Sequence, residues 1–199
     1  DAIGAGRVRH ALVIASDRLL AEPGSAYELN HGAGAGALLI TSDGAVEIDQ
    51  FASHTSDFVG RSRKEGSWHG LVDDRFIMKH GYIVELQQAI QQLNVDPSEY
   101  NHVVLQSPDG RWSSRFAKQL KLAPDALRSS AGQIGYAGTA SFVIDLSLAL
   151  ESAERGQRVL AVSYGPGGGD ALSFSVSERL SFSEDVSELK SSRPLQQLS

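Results

Sequence analysis

Gly156-Gln-Arg-Val-Leu-Ala-Val-Ser-Tyr-Gly-Pro-Gly-Gly-Gly-Asp-Ala171 is the stretch on which the reading of this chain turns. Arg158 to Tyr164 is an apolar run with a charged residue at its start, the pattern of a buried strand. Gly165, Gly167, Gly168 and Gly169 follow at once, and glycine allows backbone conformations and close approaches closed to residues with a Cβ. Ala171 to Val176 then reads as a second strand. Working backwards, Arg155-Gly156-Gln157 breaks the chain after a helical pattern over Ala140 to Arg155, with Gly where the residue past a helix end favours positive φ. A strand over His102 to Gln106 and a helix over Arg111 to Leu120 precede it. Strands alternating with helices imply a layered α/β architecture.

The first fifty residues read as sheet. His10-Ala-Leu-Val-Ile-Ala-Ser16 and the Gly-rich Ala33 to Thr41 are strand patterns, and Ala45-Val-Glu-Ile-Asp49 alternates apolar with acidic residues. Asp43-Gly44 between the last two predicts a two-residue hairpin. Ser53 to Asp74 turns polar, holds Phe58 and Trp68, and has no clear period, so a long loop is expected there. Phe76, Ile77, His80, Ile83, Val84, Gln87 and Ile90 recur at spacings of three and four, which predicts a helix over Phe76 to Leu93 with that apolar stripe. The stretch from Ser177 is Ser-rich and charged, and beyond Glu188 it reads as a tail or an arm over another subunit.

The chain has 199 residues, a formal charge of -6, a pI near 5.5 and no cysteine. The acidic balance disfavours a nucleic-acid partner, because phosphate contacts need clustered Lys and Arg. The only basic knot is Arg61, Arg63 and Lys64. Without cysteine there is no disulfide, thiolate metal site or Cys nucleophile. No run reaches the length of a membrane span and no signal-peptide pattern is visible, which makes the cytoplasm the expected compartment. The six histidines show no metal-binding spacing, so no metal is expected. His54 and His69 fall in the polar loop, within reach of a ligand, whereas His80 reads as a packed helix residue. Ser163 does not make a nucleophile elbow, since Ala161 stands where that motif has Gly. Asp145 and Glu151, six apart on one helix, lie on different faces and do not form an acid and base pair.

Two groups of motifs carry a family resemblance. The first is Arg7-Val-Arg-His-Ala-Leu-Val-Ile-Ala-Ser-Asp17, Glu22-Pro-Gly24 and Gly32-Ala-Gly-Ala-Gly-Ala-Leu-Leu-Ile40. The second is Gly135-Tyr-Ala-Gly-Thr-Ala-Ser141 followed by the stretch quoted at the start. Together, and with Ser56-Asp-Phe58, His69-Gly70 and Lys79-His80 in the connecting segment, they resemble the thiolase superfamily. The likeness is to the branch holding 3-hydroxy-3-methylglutaryl-CoA synthase and ketoacyl synthase III, and it runs in order up to about Val176.

The resemblance implies a thiolase-like layered α-β-α sandwich with its N-terminal half incomplete. Residues 1–52 would end that half, 53–75 would connect, 76–177 would form the C-terminal half and 178–199 a tail. It also implies acyl-CoA condensing or cleaving chemistry, in which a cysteine thiolate takes the acyl group and a His and an Asn stabilise the oxyanion. In the relatives that cysteine lies upstream of the position of Arg7. Gln106 occupies the family His position and Tyr136 the family Asn position; Gln donates a hydrogen bond but takes no proton near neutral pH.

The reading that follows is a non-catalytic, pseudoenzyme-like subunit of a heteromeric complex, supporting an active thiolase-fold partner. The alternatives are a fragment of an active synthase-like acyltransferase whose Cys lies upstream of residue 1, and a CoA-binding module without chemistry. A coenzyme A thioester is the implied substrate or ligand, with no covalently bound cofactor. Gly165, Gly167, Gly168 and Gly169 would flank the thioester, while Arg61, Arg63 and Trp68 would hold CoA; Trp112 beside Arg111 is a further candidate for its adenine and phosphates. A sheet edge left bare calls for a covering chain, and a zinc-ribbon and OB-fold protein is a further candidate partner.

Overall fold

The computed structural model describes residues 2–60, 65–66 and 73–180. Strands β1 (His10–Arg18) and β2 (Ala33–Thr41) are joined through the short helix α1 (Ala26–Asn30), and β3 (Val46–Thr55) follows. Next come α2 (Asp74–Ile77), a π-helical turn over Met78–Tyr82 and α3 (Ile83–Leu93). The remainder is β4 (His102–Leu105), α4 (Gly110–Gln119), β5 (Leu127–Arg128), α5 (Ala131–Ile134), α6 (Thr139–Ser152), β6 (Arg158–Gly165) and β7 (Gly168–Val176).

Two sheets result. β1 and β2 pair antiparallel along their whole length, from His10 opposite Thr41 to Arg18 opposite Ala33. The other sheet has five strands in the order β3-β7-β6-β4-β5, with β4 parallel to both neighbours and β7 antiparallel to both of its own. The hairpin expected at Asp43-Gly44 is therefore not formed. β2 is paired by β1, and residues 42–45 instead carry the chain from one sheet to the other, where β3 pairs with β7. β3 runs through residue 52, at which the expected division of the halves falls.

Layers stack on both faces of the five-stranded sheet. On one face Tyr82, Leu86, Ile90, Trp112 and Phe116 pack on Leu105, Leu160 and Val162. On the other, Leu146, Ala149 and Leu150 of α6 pack on Val104, Val159, Ala161 and Phe174. The opposite side of α6 lies on β2, and the approach is close because Gly34 and Gly36 have no Cβ: one at Gly36 would stand 2.7 Å from Val143 Cγ1. Apolar almost all round, α6 is an interior helix with a sheet on each side. The outer face of the β1–β2 pair has no such cover among the described residues, with Leu12 61%, Ile14 67% and Leu39 67% exposed.

The helix expected over Phe76 to Leu93 starts earlier, ends as expected and buries only part of the expected stripe, Ile77 and Ile90 among it. Asp73 caps it, accepting from the amides of Arg75 and Phe76 at 2.9 and 3.2 Å. The π-turn adds one residue to a turn and so rotates the face beyond it by about 100°. Ile77, Tyr82, Leu86, Ala89 and Leu93 are buried, whereas Phe76 and Val84 of the expected stripe are exposed. Similarly, α6 stops at Ser152 with Ala153 extended, so Gly156 (φ +84°) serves the turn into β6 and does not cap the helix. α1, α5 and the two-residue β5 were not expected.

Candidate functional site

Gln106 sits where β4 ends, 5% exposed, with its backbone N–H bonded to Val162 O at 3.0 Å. Its side-chain amide reaches two other segments. Nε2 donates to Gly138 O at 3.1 Å, and Oε1 accepts from the Tyr164 amide at 3.2 Å. Gly138 is the residue before α6, and Tyr164 is the last but one of β6. A single buried carboxamide therefore ties together the end of β4, the motif around Tyr136 and the strand leading to the glycines.

The Tyr136 segment is held from its other side. The Tyr136 amide donates to Asn30 O at 2.7 Å, and its carbonyl accepts from Gly32 at 2.8 Å. Asp17 at the end of β1 accepts from the Thr139 amide at 3.3 Å, and Ser141 Oγ accepts from the Ala137 amide at 2.8 Å. Both contacts serve orphan donors at the start of α6. Motifs far apart in sequence, the Asp17 end of the first group and Gly135 to Ser141 of the second, meet at this helix start.

The glycines form a β-hairpin instead of an open loop. Gly165 and Gly168 pair, leaving Pro166 and Gly167 as the turn, and Gly167 has φ +82°, which a Cβ would strain. Ser56, just past β3, donates its amide to Gly167 O at 2.9 Å. Gln106 thus neighbours both the Tyr136 motif and the hairpin through direct bonds. Arg61, Arg63, Trp68 and His69 lie outside the described residues.

The other candidates separate from this centre. Trp112 is buried against Tyr82, ring centroids 5.6 Å apart, so it is a core residue and not an adenine platform. Arg111 is bound to Asp109 in a cap at the start of α4. An open cleft of about 590 Å³ beside that helix is lined by Asn30, Arg111, Ser114, Arg115 and Lys118. His80 is exposed, its ring 4.8 Å from that of Phe76, and so is not packed in the core. His102 is buried and bonded to Gln157 Oε1 at 3.0 Å, and burial lowers its pKa. Asp145 accepts from the Ser130 amide at 2.6 Å, and burial raises its carboxyl pKa. Ser163 Oγ lies 3.3 Å from Asp170 Oδ2. No group of three or more metal-ligating side chains occurs among the described residues, nor a helix long and apolar enough to cross a membrane.

Sequence reasoning missed the anchoring role of Asn30, Asp17 and Tyr164. Two of these act through backbone atoms, which carry no residue-type signal.

Comparisons with known proteins bear on the fold that holds this centre. The family model described as 3-oxoacyl-[acyl-carrier-protein (ACP)] synthase III C terminal matches residues 90–171. The hydroxymethylglutaryl-CoA synthase of Methanopyrus kandleri is 29% identical over 194 residues, covering 94% of this chain and 55% of the relative. That of Thermoplasma volcanium is 30% identical over 188 residues, covering 89% and 53%. The chain thus spans about half the length of the curated relatives it matches. Among solved structures, the 3-oxoacyl-(acyl carrier protein) synthase III FabH of Pseudomonas aeruginosa superposes with a TM-score of 0.73 at 17% identity, over 90% of this chain and 62% of that one. MvaS in complex with 3-hydroxy-3-methylglutaryl coenzyme A gives 0.73 at 20% identity, over 89% and 55%.

The two sheets enclosing α6, with helices outside the larger one, are the C-terminal part of a thiolase-like fold. These matches support a likeness to the thiolase superfamily, in the branch of hydroxymethylglutaryl-CoA synthase and ketoacyl synthase III.

Proposed function

We propose that this chain is a supporting, non-catalytic member of a thiolase-fold assembly that condenses or cleaves acyl-CoA, acting beside an active thiolase-fold subunit. The observation that carries the reading is Gln106. It stands at the family His position, cannot exchange a proton near neutral pH, and has both side-chain polar atoms bound to the protein's own backbone. It behaves as a fastener between segments. Tyr136 at the family Asn position is likewise fixed through its backbone to residues 30 and 32.

Coenzyme A thioester is the proposed ligand, supported by fold neighbours solved with coenzyme A or 3-hydroxy-3-methylglutaryl coenzyme A bound. Gly165 and Gly167 to Gly169 would line its thioester end, with Arg61, Arg63 and Trp68 at the cofactor end. The partner is supported by the apolar outer face of β1–β2, which a covering layer would remove from water. The relatives are about twice the matched length, which supports such a layer. A zinc-ribbon and OB-fold protein is a second proposed partner, and the cytoplasm the proposed compartment. The division at 52, 75 and 177 is carried into this proposal, with β3 counted to the sheet of the second half.

A second reading is favoured by the curated relatives being single chains about twice the matched length. In it the cysteine and its half belong to the same polypeptide, upstream of residue 1, and the whole is an active synthase. Radiolabelled acyl-CoA separates the two. The supporting role expects no acyl group on this polypeptide and turnover only after a Cys-bearing partner is added. An acylated cysteine on the same polypeptide overturns it in favour of the second reading. Tight CoA binding with no turnover in any mixture would identify a binding module instead.

A further inference from the structure

The hairpin of Gly165 to Gly169 has few side chains with which to anchor itself. Its placement is set by backbone bonds and by whatever presses on it. Opposite lie the end of β3 and the residues after it: His54 pairs with Gly169, Thr55 with Gly168, and Ser56 donates to Gly167 O. That segment is in turn gripped by one acidic residue. Glu85, on α3, is 1% exposed. Ser56 Oγ donates to its Oε1, and His54 Nε2 lies 3.2 Å from its Oε2.

Gln92 Nε2 lies 3.3 Å from His54 Nδ1, so the ring is contacted on both of its nitrogens. Ser56 Oγ also accepts from the Phe58 amide at 3.2 Å, extending the grip to the start of the connecting segment. The backbone of Glu85 takes part as well, since a Cβ at Gly169 would stand 3.2 Å from Glu85 O. This is not a hydrolytic triad, because the hydroxyl bonds the carboxylate and not the imidazole. Oε1 is hydrogen-bonded, whereas Oε2 is buried with no hydrogen-bond partner among the described residues and has the His54 ring beside it. A carboxylate this buried is costly, and an apolar side chain would fill the same space.

We infer that Glu85 is a positioning residue for the glycine hairpin, holding His54 and Ser56 so that Gly167 to Gly169 keep their place. The inference rests on the proposed acyl-CoA site only in giving that place a purpose. Hydrogen exchange followed by mass spectrometry tests it on the full chain without ligand, in Glu85→Met, Glu85→Gln and Ser56→Ala. Glu85→Met and Ser56→Ala should speed exchange about tenfold over residues 54–58 and 167–170 while residues 159–162 keep their protection. Glu85→Gln keeps an acceptor for Ser56 but turns a donor toward His54, so its effect should be intermediate. Unchanged exchange over 54–58 and 167–170, or equal acceleration everywhere, would overturn the inference. If Glu85→Met does not fold, Ser56→Ala and His54→Gln carry the same readout. Calorimetric titration with CoA is read separately. Wild-type protein that fails to bind CoA counts against the proposed function, whereas binding that is weakened in step with loosened exchange supports both.

Discussion

The central strands of the five-stranded sheet and the β1–β2 pair are both apolar runs, yet only the former are covered on both faces by the described residues. β4 is buried at every position, enclosed by α3 and α4 on one side and α6 on the other. Among the described residues β1 and β2 have α6 on one face alone, and Leu12, Ile14 and Leu39 look outward. A strand's sequence reports the burial of the complete assembly. The β1–β2 pair presents an apolar outer face, as β3 does at Phe51, that the central strands of the larger sheet do not.

If that contrast is right, substitutions should sort by region. Leu160→Ala, in a fully buried side chain of β6, should cost about 2–5 kcal/mol in urea unfolding; a loss below about 1 kcal/mol would break the picture of a self-sufficient core. Gly36→Ala tests the seam between the regions. Its Cβ would meet Val143 Cγ1 at 2.7 Å and Val143 Cβ at 3.1 Å, so a loss of about 1–3 kcal/mol is expected from overpacking against α6.

A smaller effect comes from His102 within the larger sheet. Burial lowers its pKa in the folded state, so the unfolded chain binds the proton more readily and stability falls as pH drops from about 6.5 toward the lowered value. His102→Gln should flatten thermal unfolding midpoints between pH 7.5 and 5.5; an unaltered slope would assign the dependence to other groups. Least affected should be Leu12→Thr with Leu39→Thr, within about 0.5 kcal/mol each for this chain alone because both side chains are already in water. The same pair should weaken capture of a covering partner in a pull-down. A large loss of stability in the isolated chain would instead mean that the outer face is already packed.

Strands β4 and β6 of the larger sheet were legible because their apolar runs are continuous and bounded by turn residues. The pairing of β3 was not. Alternation fixes which face of a strand is wet but not which neighbour it joins, and Asp43-Gly44 suits a hairpin and a crossing bend alike. The π-turn at Met78–Tyr82 was invisible for a related reason. Apolar residues occur on both sides of that helix, and one extra residue in a turn decides which of them are buried. At the site, Gln106 and Tyr136 were readable as residue types at motif positions. Their bonds were not, since Gly138 O, Tyr164 N and Asn30 O are backbone atoms. Glu85 was hidden too, because a mid-helix Glu reads as a solvated position until the fold places Ser56 and His54 above it.

The crossing at residues 42–45 has a consequence for how such a fold can be divided among genes. A cut at the crossing would leave all five strands of the larger sheet and α6 on one product and β1–β2 on the other, so α6 would lose the sheet on its second face and the orphaned pair would have only α6 to find. The four-residue passage is thus a poor place to divide the gene.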